Sequence, residues 1–338
     1  MKAVKTSQRM MVWVLVWLTG LQPVLPTLAA GVTVASGSTT LDAAGNGVPV
    51  VNIAPPNAAG LSHNRYHDFN VDNRGLILNN GTAQLNPSQL GGLLQNNPNL
   101  NGRAATAILN EVVSPNRSQL SGYLEVAGQA ANVVVANPYG ITCSGCGFLN
   151  TPRITLTTGT PQFDAAGGLS GLAVRGGDIR IDGAGLDASG SDYFALIART
   201  ASLQAGLTAR DVQVVLGTNR VGTDGRVTAQ GADGALPVLA LDTGSLGGMY
   251  AQRISLVSTE QGVGVNTAGL SARQGDIRLS ANGRLQVGSA IAQGDLTAQG
   301  VTLALQDQQQ AQGRIALGGT QGITLTGSQT RAGRDLTL

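Results

Sequence analysis

The chain has 338 residues, 48 of them glycine, with aromatics at 3% and charged residues at 12%. So few aromatics argue against an ordinary enzyme core of this size, and low charge with 42% hydrophobic residues argues against disorder. The formal charge is +2, but Lys2, Lys5 and Arg9 are the only charges in the first thirty residues, so the remainder carries −1 and no lysine; with no basic run interleaved with aromatics, no nucleic-acid partner is expected.

Residues 1–30 read as a signal peptide. Lys2, Lys5 and Arg9 form its positive start, and Met10 to Leu18 supply nine apolar residues, well short of the roughly 20 needed to span a bilayer. Small residues at Thr27-Leu28-Ala29 and Ala30 offer the cleavage site. Residues from about 31 to 75 are assigned to an N-terminal β cap, because an open sheet end exposes unpaired backbone and must be covered. Turns are expected at Pro55-Pro56, Asn64 and Asn73, with strands at 67–71 and 76–79. Residues 86–111 have the loosest pattern and are expected to leave the main axis; they contain the turn Asn97-Pro98-Asn99-Leu100. Forty residues later a β-branched run, Val133 to Val135, ends at a second turn, Asn137-Pro138-Tyr139-Gly140. Cys143-Ser144-Gly145-Cys146 follows, then strand-like sequence at Ile154-Thr155-Leu156.

The second half repeats. Asp178, Asp276, Asp295 and Asp335 recur in Gly-Asp-Ile, Gly-Asp-Leu or Arg-Asp-Leu settings at separations of 98, 19 and 40 residues, close to multiples of 20. Between them lie short alternating triplets such as Leu285/Val287, Leu303/Leu305 and Ile315/Leu317, the pattern of half-buried strands bounded by turns. An all-β, right-handed parallel β-helix of ~20-residue coils is therefore predicted, each coil stacked about 4.8 Å on the last. Division by the repeat gives about 15 coils and a rod on the order of 70 Å. A β-sandwich with accidental spacing is the competing fold. Residues 291–338 read as the start of a repetitive shaft that stops within a strand, as if cut from a longer rod.

Several residues carry candidate chemistry. In an exported chain, Cys143 and Cys146 read as a local disulfide, whose four-residue loop confines little chain entropy. A redox enzyme would need a helical flank that the strand-like neighbours do not supply, and a metal site would need two more ligands, whereas His63 and His67 lie some eighty residues away. The two histidines are read as loop residues. Asp178, Asp182 and Asp187 are read as turn residues rather than a carboxylate cluster. The Asn-Pro turns fit turn geometry by themselves, since Asn initiates turns and Pro fixes φ.

The segments GLSHNRYHDFNV (60–71) and LGGMYAQRISLVSTEQGVGVN (246–266), with the two Asn-Pro turns between them, resemble the N-terminal secretion (haemagglutination activity) domain of two-partner secretion exoproteins, the filamentous haemagglutinin family. The resemblance covers nearly all of 31–290; the family often has Asn where this chain has Tyr139. It implies a non-enzymatic secretion-directing module of a surface-exposed or secreted adhesin, exported through the periplasm of a Gram-negative bacterium. The implied partner is an outer-membrane barrel whose periplasmic docking domains recognise Asn97, Pro98, Asn99 and Leu100 together with Asn137, Pro138, Tyr139 and Gly140. It also implies that the full-length protein has a receptor on a host or neighbouring cell. No cofactor, metal or catalytic residue is expected. A contact-dependent growth inhibition toxin or a haemolysin is the alternative, and a β-helical polysaccharide-degrading enzyme a distant one.

Overall fold

A computed structural model describes residues 31–231 and 234–338; the signal-peptide assignment at 1–30 lies outside the described residues. Alternation decides the architecture. Strands whose every second side chain is apolar bury one face, and here those faces close on each other as a parallel β-helix with three sides. On the first face Ile108, Val133, Ile154, Phe194, Val212, Ile254, Ile277, Leu296, Ile315 and Leu336 stack in parallel register. On the second, Ile141, Ile179, Ala201, Leu241, Val265, Leu285, Leu303 and Ile323 do the same. The third runs from Cys146 through Leu186, Leu207, Met249, Leu270 and Ala290 to Gln309 and Thr330. Most of these side chains belong to one continuous core.

The repeat is less uniform than its C-terminal part suggests. Successive residues of the first column lie 25, 21, 40, 18, 42, 23, 19, 19 and 21 apart. Ten layers at about 4.8 Å give a stack of roughly 45 Å, shorter than a uniform 20-residue coil predicts. The intervals of 40 and 42 contain excursions. Thr160–Phe163, Leu169–Val174, Asn219–Gly222 and Val227–Ala229 leave the rod and form a separate antiparallel sheet of four strands. This flap lies on the outside of the first face, where Leu172, Val174 and Val221 pack on Ala195, Ile197 and Val215. Runs such as Phe194 to Ala198 and Val214 to Leu216 lack polar alternation for that reason: they are covered on both sides.

At the N-terminal end, Val32–Ser36 pairs antiparallel with Leu61–Phe69, and Thr40–Ala43 with Pro49–Asn52. These pairings cover the edges of the first parallel strands with antiparallel ones. The rings of Tyr66 and Phe69, both fully buried and 5.0 Å apart, fill the core beneath. The loosely patterned stretch 86–111 leaves the axis only in its first part: Leu85–Ser88 and Gly92–Gln95 form a separate hairpin, followed by a 3-10 turn at Pro98–Leu100, while Ala107–Val112 is a strand of the first face. Buried Glu125 ties this hairpin down. Its carboxylate accepts from the Ser88 hydroxyl at 2.7 Å and from the backbone N–H groups of Gln89 and Leu90 at 2.6 and 2.9 Å. Glu125→Ala is expected to free the hairpin and make 85–95 the first site of cleavage in limited proteolysis, with the rod intact.

Two readings from sequence are corrected. His63 and His67 lie within the strand Leu61–Phe69 rather than in a loop. That strand is sandwiched between two partners, Val32–Ser36 and Ala107–Val112, and sheet pairing overrides the local turn tendency of Asn64. Asp178, Asp182 and Asp187 lie in one long bent strand, Asp178–Ala198, which rounds its corner at Gly183 and Gly185 with φ of 54° and 82°.

Candidate functional site

Both Asn-Pro turns are built from their asparagines outward. Asn97 caps the 3-10 turn: its side-chain oxygen accepts from the Asn99 N–H at 2.9 Å, while its Nδ2 donates to the carbonyls of Ile53 and Asn79 at 2.9 and 2.8 Å. Asn79 lies in the strand Leu76–Asn80 and Ile53 just after the strand Pro49–Asn52, so one side chain closes its own turn and joins two layers. Asn99 Nδ2 adds a bond to the Asn52 carbonyl at 3.0 Å, and Leu100 is buried in the core. Around this point Asn79 donates to Asn52 Oδ1 at 2.9 Å, and Asn80 accepts from the Ala105 N–H and donates to the carbonyls of Ala105 and Gln129. Asparagine amides thus supply the hydrogen bonds that irregular backbone cannot make for itself.

Asn137 repeats the device at another place. Its Oδ1 accepts from the Tyr139 N–H at 3.0 Å, and its Nδ2 donates to the Asn116 carbonyl at 2.9 Å and the Ser118 hydroxyl at 3.0 Å. Asn137 is fully buried and Asn97 only 2% exposed, whereas Tyr139 is 54% exposed and Pro98 also faces solvent. Gly140 has φ +111°, and a Cβ there would lie 2.4 Å from Arg117 Nη1. Only glycine fits this turn against that guanidinium.

Arg117 itself was not singled out from sequence. It spans three layers: Nε donates to Thr142 Oγ1 at 2.7 Å, Nη2 to the Ile141 carbonyl at 2.9 Å, and both terminal nitrogens reach the Asp178 carboxylate at 2.7 and 2.9 Å. Arg180 Nε adds a further bond to Asp178 at 2.8 Å. Burial works against ionisation of Asp178, but the hydrogen bonds and charges of Arg117 and Arg180 outweigh it and hold the carboxyl below its ordinary range. Strand register was the missing signal, because Arg117 lies just before Ser118, which stacks on Ile141 and then on Ile179.

The turns do not come together. The Asn97 turn lies where the chain passes from the third face to the first, and the Asn137 turn where it passes from the first to the second. Cys143 and Cys146 occupy the next corner, joined by a disulfide within the strand Ile141–Leu149. Residues three apart in a flat strand face opposite ways. Here Gly145, at φ +83°, and the register slip between Ser144 and Cys146 turn both sulfurs into the core.

Elsewhere, carboxylates meet arginines rather than one another. Asp211 pairs with Arg253 at 2.6 Å, Asp276 with Arg278 at 2.7 Å, and Glu260 with Arg199 at 3.1 Å. His63 Nε2 lies 2.7 Å from Glu111 and its ring 5.1 Å from that of Phe163, so it links the rod to the flap. Among the described residues no group of three or more His, Cys, Asp or Glu is placed to hold a metal ion. A groove of about 690 Å³ runs between flap and first face past Thr155, Tyr193, Gln213, Leu172 and Asp224. The Arg153 guanidinium covers the Tyr193 ring at 4.3 Å, and the Tyr193 hydroxyl donates to Gln213.

Comparison with known proteins places this geometry. Residues 27–287 match the sequence model of the TPS secretion domain. The chain is 57% identical over 310 residues to the tRNA nuclease CdiA of Yersinia mollaretii, which covers 92% of this chain and 10% of that protein. It is 52% identical over 336 residues to the 16S rRNA endonuclease CdiA of Enterobacter cloacae, covering 99% of this chain and again 10% of the relative. The chain thus spans about a tenth of the length of the curated relatives it matches. A crystal structure of a filamentous hemagglutinin secretion domain superposes with a TM-score of 0.70 at 34% identity, covering 91% of this chain and 99% of that one. The capped parallel β-helix and these matches lead to one family: the chain belongs to the TPS secretion domains of filamentous hemagglutinin-like exoproteins.

Proposed function

We propose that the Asn97 and Asn137 turns are read by the periplasmic docking domains of an outer-membrane barrel while the chain is still extended, and become structural clamps once the coils close outside the cell. The observation that carries this reading is burial. Both amides are enclosed and their hydrogen-bonding atoms are engaged by the fold, so a partner reaches them only before winding. The exposed Pro98 and Tyr139 mark the same turns from outside. Around this module we place a longer surface-displayed exoprotein with a receptor on a host or neighbouring cell. The similarity to CdiA proteins favours a contact-dependent toxin, with any nuclease activity in segments beyond this chain, over a simple filamentous adhesin.

The test pairs Asn97→Ala and Asn137→Ala with two readouts: secreted amount, and retention of the urea-unfolded chain on immobilised periplasmic domains of the barrel. Each variant is expected to lose at least tenfold in both. Normal export by both variants, or unchanged retention of their unfolded chains, removes the recognition role and leaves the asparagines as fold elements only.

A further inference from the structure

We infer that the Cys143–Cys146 bond is made before the rod winds, so that a thiol-oxidising agent of the compartment crossed in the unfolded state is a required earlier partner of this chain. The inference rests on the export route proposed above for the identity of that compartment, and on the structure alone for the order of events. Cys143 and Cys146 are 0% and 2% exposed. Cys143 is stacked between Leu120 in the layer below and Ile181 in the layer above, and Cys146 lies under Leu186. The strand Asp178–Ala198 covers both sulfurs, and the layer that begins at Thr200 covers that strand in turn. No oxidant reaches the sulfurs once these layers are in place. Oxidation therefore precedes the winding of residues 178–188.

The chemistry is a two-electron exchange. One cysteine thiolate attacks a sulfur of the oxidant's disulfide and forms a mixed disulfide; the second thiolate displaces it. The Cys143–Cys146 bond forms, the oxidant leaves as two thiols, and the oxidant has taken up both electrons. The spacing suits a chain that must still be threaded. With two residues between the cysteines, the closed ring stays a single strand wide, whereas a bond to a distant cysteine would double the chain in a pore. The ring also presets the corner at Gly145 that the coil requires.

The experiment follows the thiols of the full-length chain by acid quenching and maleimide–polyethylene glycol tagging under denaturing conditions. In cells lacking the barrel, where the chain is held before the outer membrane, no tag is expected without reductant and two with it. Two tags without reductant on the held chain, beside an oxidised secreted chain, overturn the proposed order. Deleting the periplasmic dithiol oxidase, with and without cystine in the medium, separates a protein oxidant from a small disulfide; if the thiols remain free in the deletion strain, cystine is expected to restore the bond. In a third arm the purified secreted chain meets dithiothreitol with and without guanidinium. Reduction is expected only with denaturant, and equal reduction in both removes the burial argument. Barrel-independent release would sink the export reading, while the third arm would still decide whether the sulfurs are sealed.

Discussion

Glu260→Ala is expected to destabilise the rod by about 3–5 kcal/mol, the range for removing one partner of an enclosed ion pair. The Glu260 side chain is 3% exposed and that of Arg199 14%. Arg199 lies at the joint between the strands Asp178–Ala198 and Thr200–Leu203, and Glu260 just after Arg253–Ser258 in a later layer. The carboxylate accepts from Arg199 Nε at 3.1 Å and from Thr218 Oγ1 at 3.4 Å, while Arg199 Nη2 donates to the Ala235 carbonyl at 3.0 Å. The pair therefore closes the corner beside which the strands Asn219–Gly222 and Val227–Ala229 build half of the flap. Removing the carboxylate takes its hydrogen bonds away from Arg199 and Thr218 in an enclosed corner, and that loss sets the cost. Glu260→Gln keeps an acceptor and is expected to cost less. Urea unfolding of the single variants and of the Arg199→Ala/Glu260→Ala double variant checks this; a double variant as costly as the two singles together would mean that the two do not act as a pair.

Arg117→Ala is expected to cost about 2–3 kcal/mol, less than a fully buried pair because the Asp178 side chain is about a third exposed and water screens part of the interaction. Asp178→Asn gives the pH dependence. An unfolded aspartate titrates near about 3.9, and the folded carboxyl lies below its ordinary range. A group with a depressed folded pKa contributes fully above the unfolded value and loses its contribution as pH falls through the folded one. The gap in unfolding free energy between the original chain and Asp178→Asn is therefore expected to be constant from pH 7 to about 5 and to shrink below about 4. Taking the difference cancels Asp72 and Asp295, whose carboxyls are also lowered by arginine contacts. A gap that persists unchanged to pH 2 would show that Asp178 owes nothing to its charge.

The parallel stack was legible wherever coils have near-constant length. From Ile254 onward the column spacing of 19 to 23 residues reproduces the repeat that the aspartates announce. The flap was not legible, because an antiparallel strand such as Leu169–Val174 has the same two-residue period as a rod strand, and only its partners distinguish it. The Asn-Pro turns could be located, since Asn and Pro act on their own backbone. What their amides reach could not, because Ile53 and Asn79 become neighbours of Asn97 only through winding. Arg117 and Asp178 are 61 residues apart, and Arg199 and Glu260 are separated by the same distance, too far for local pattern to join them.

The unequal column spacing has an evolutionary side. Adding one residue within a face would turn a whole strand inside out, yet the 40- and 42-residue intervals show that long stretches can be inserted at a corner while Ile154, Phe194, Val212 and Ile254 keep their places in the stack. The corners are thus the places where lineages can lengthen, shorten or exchange segments without relearning the core. A relative could acquire a new surface there and still wind around the same inner columns.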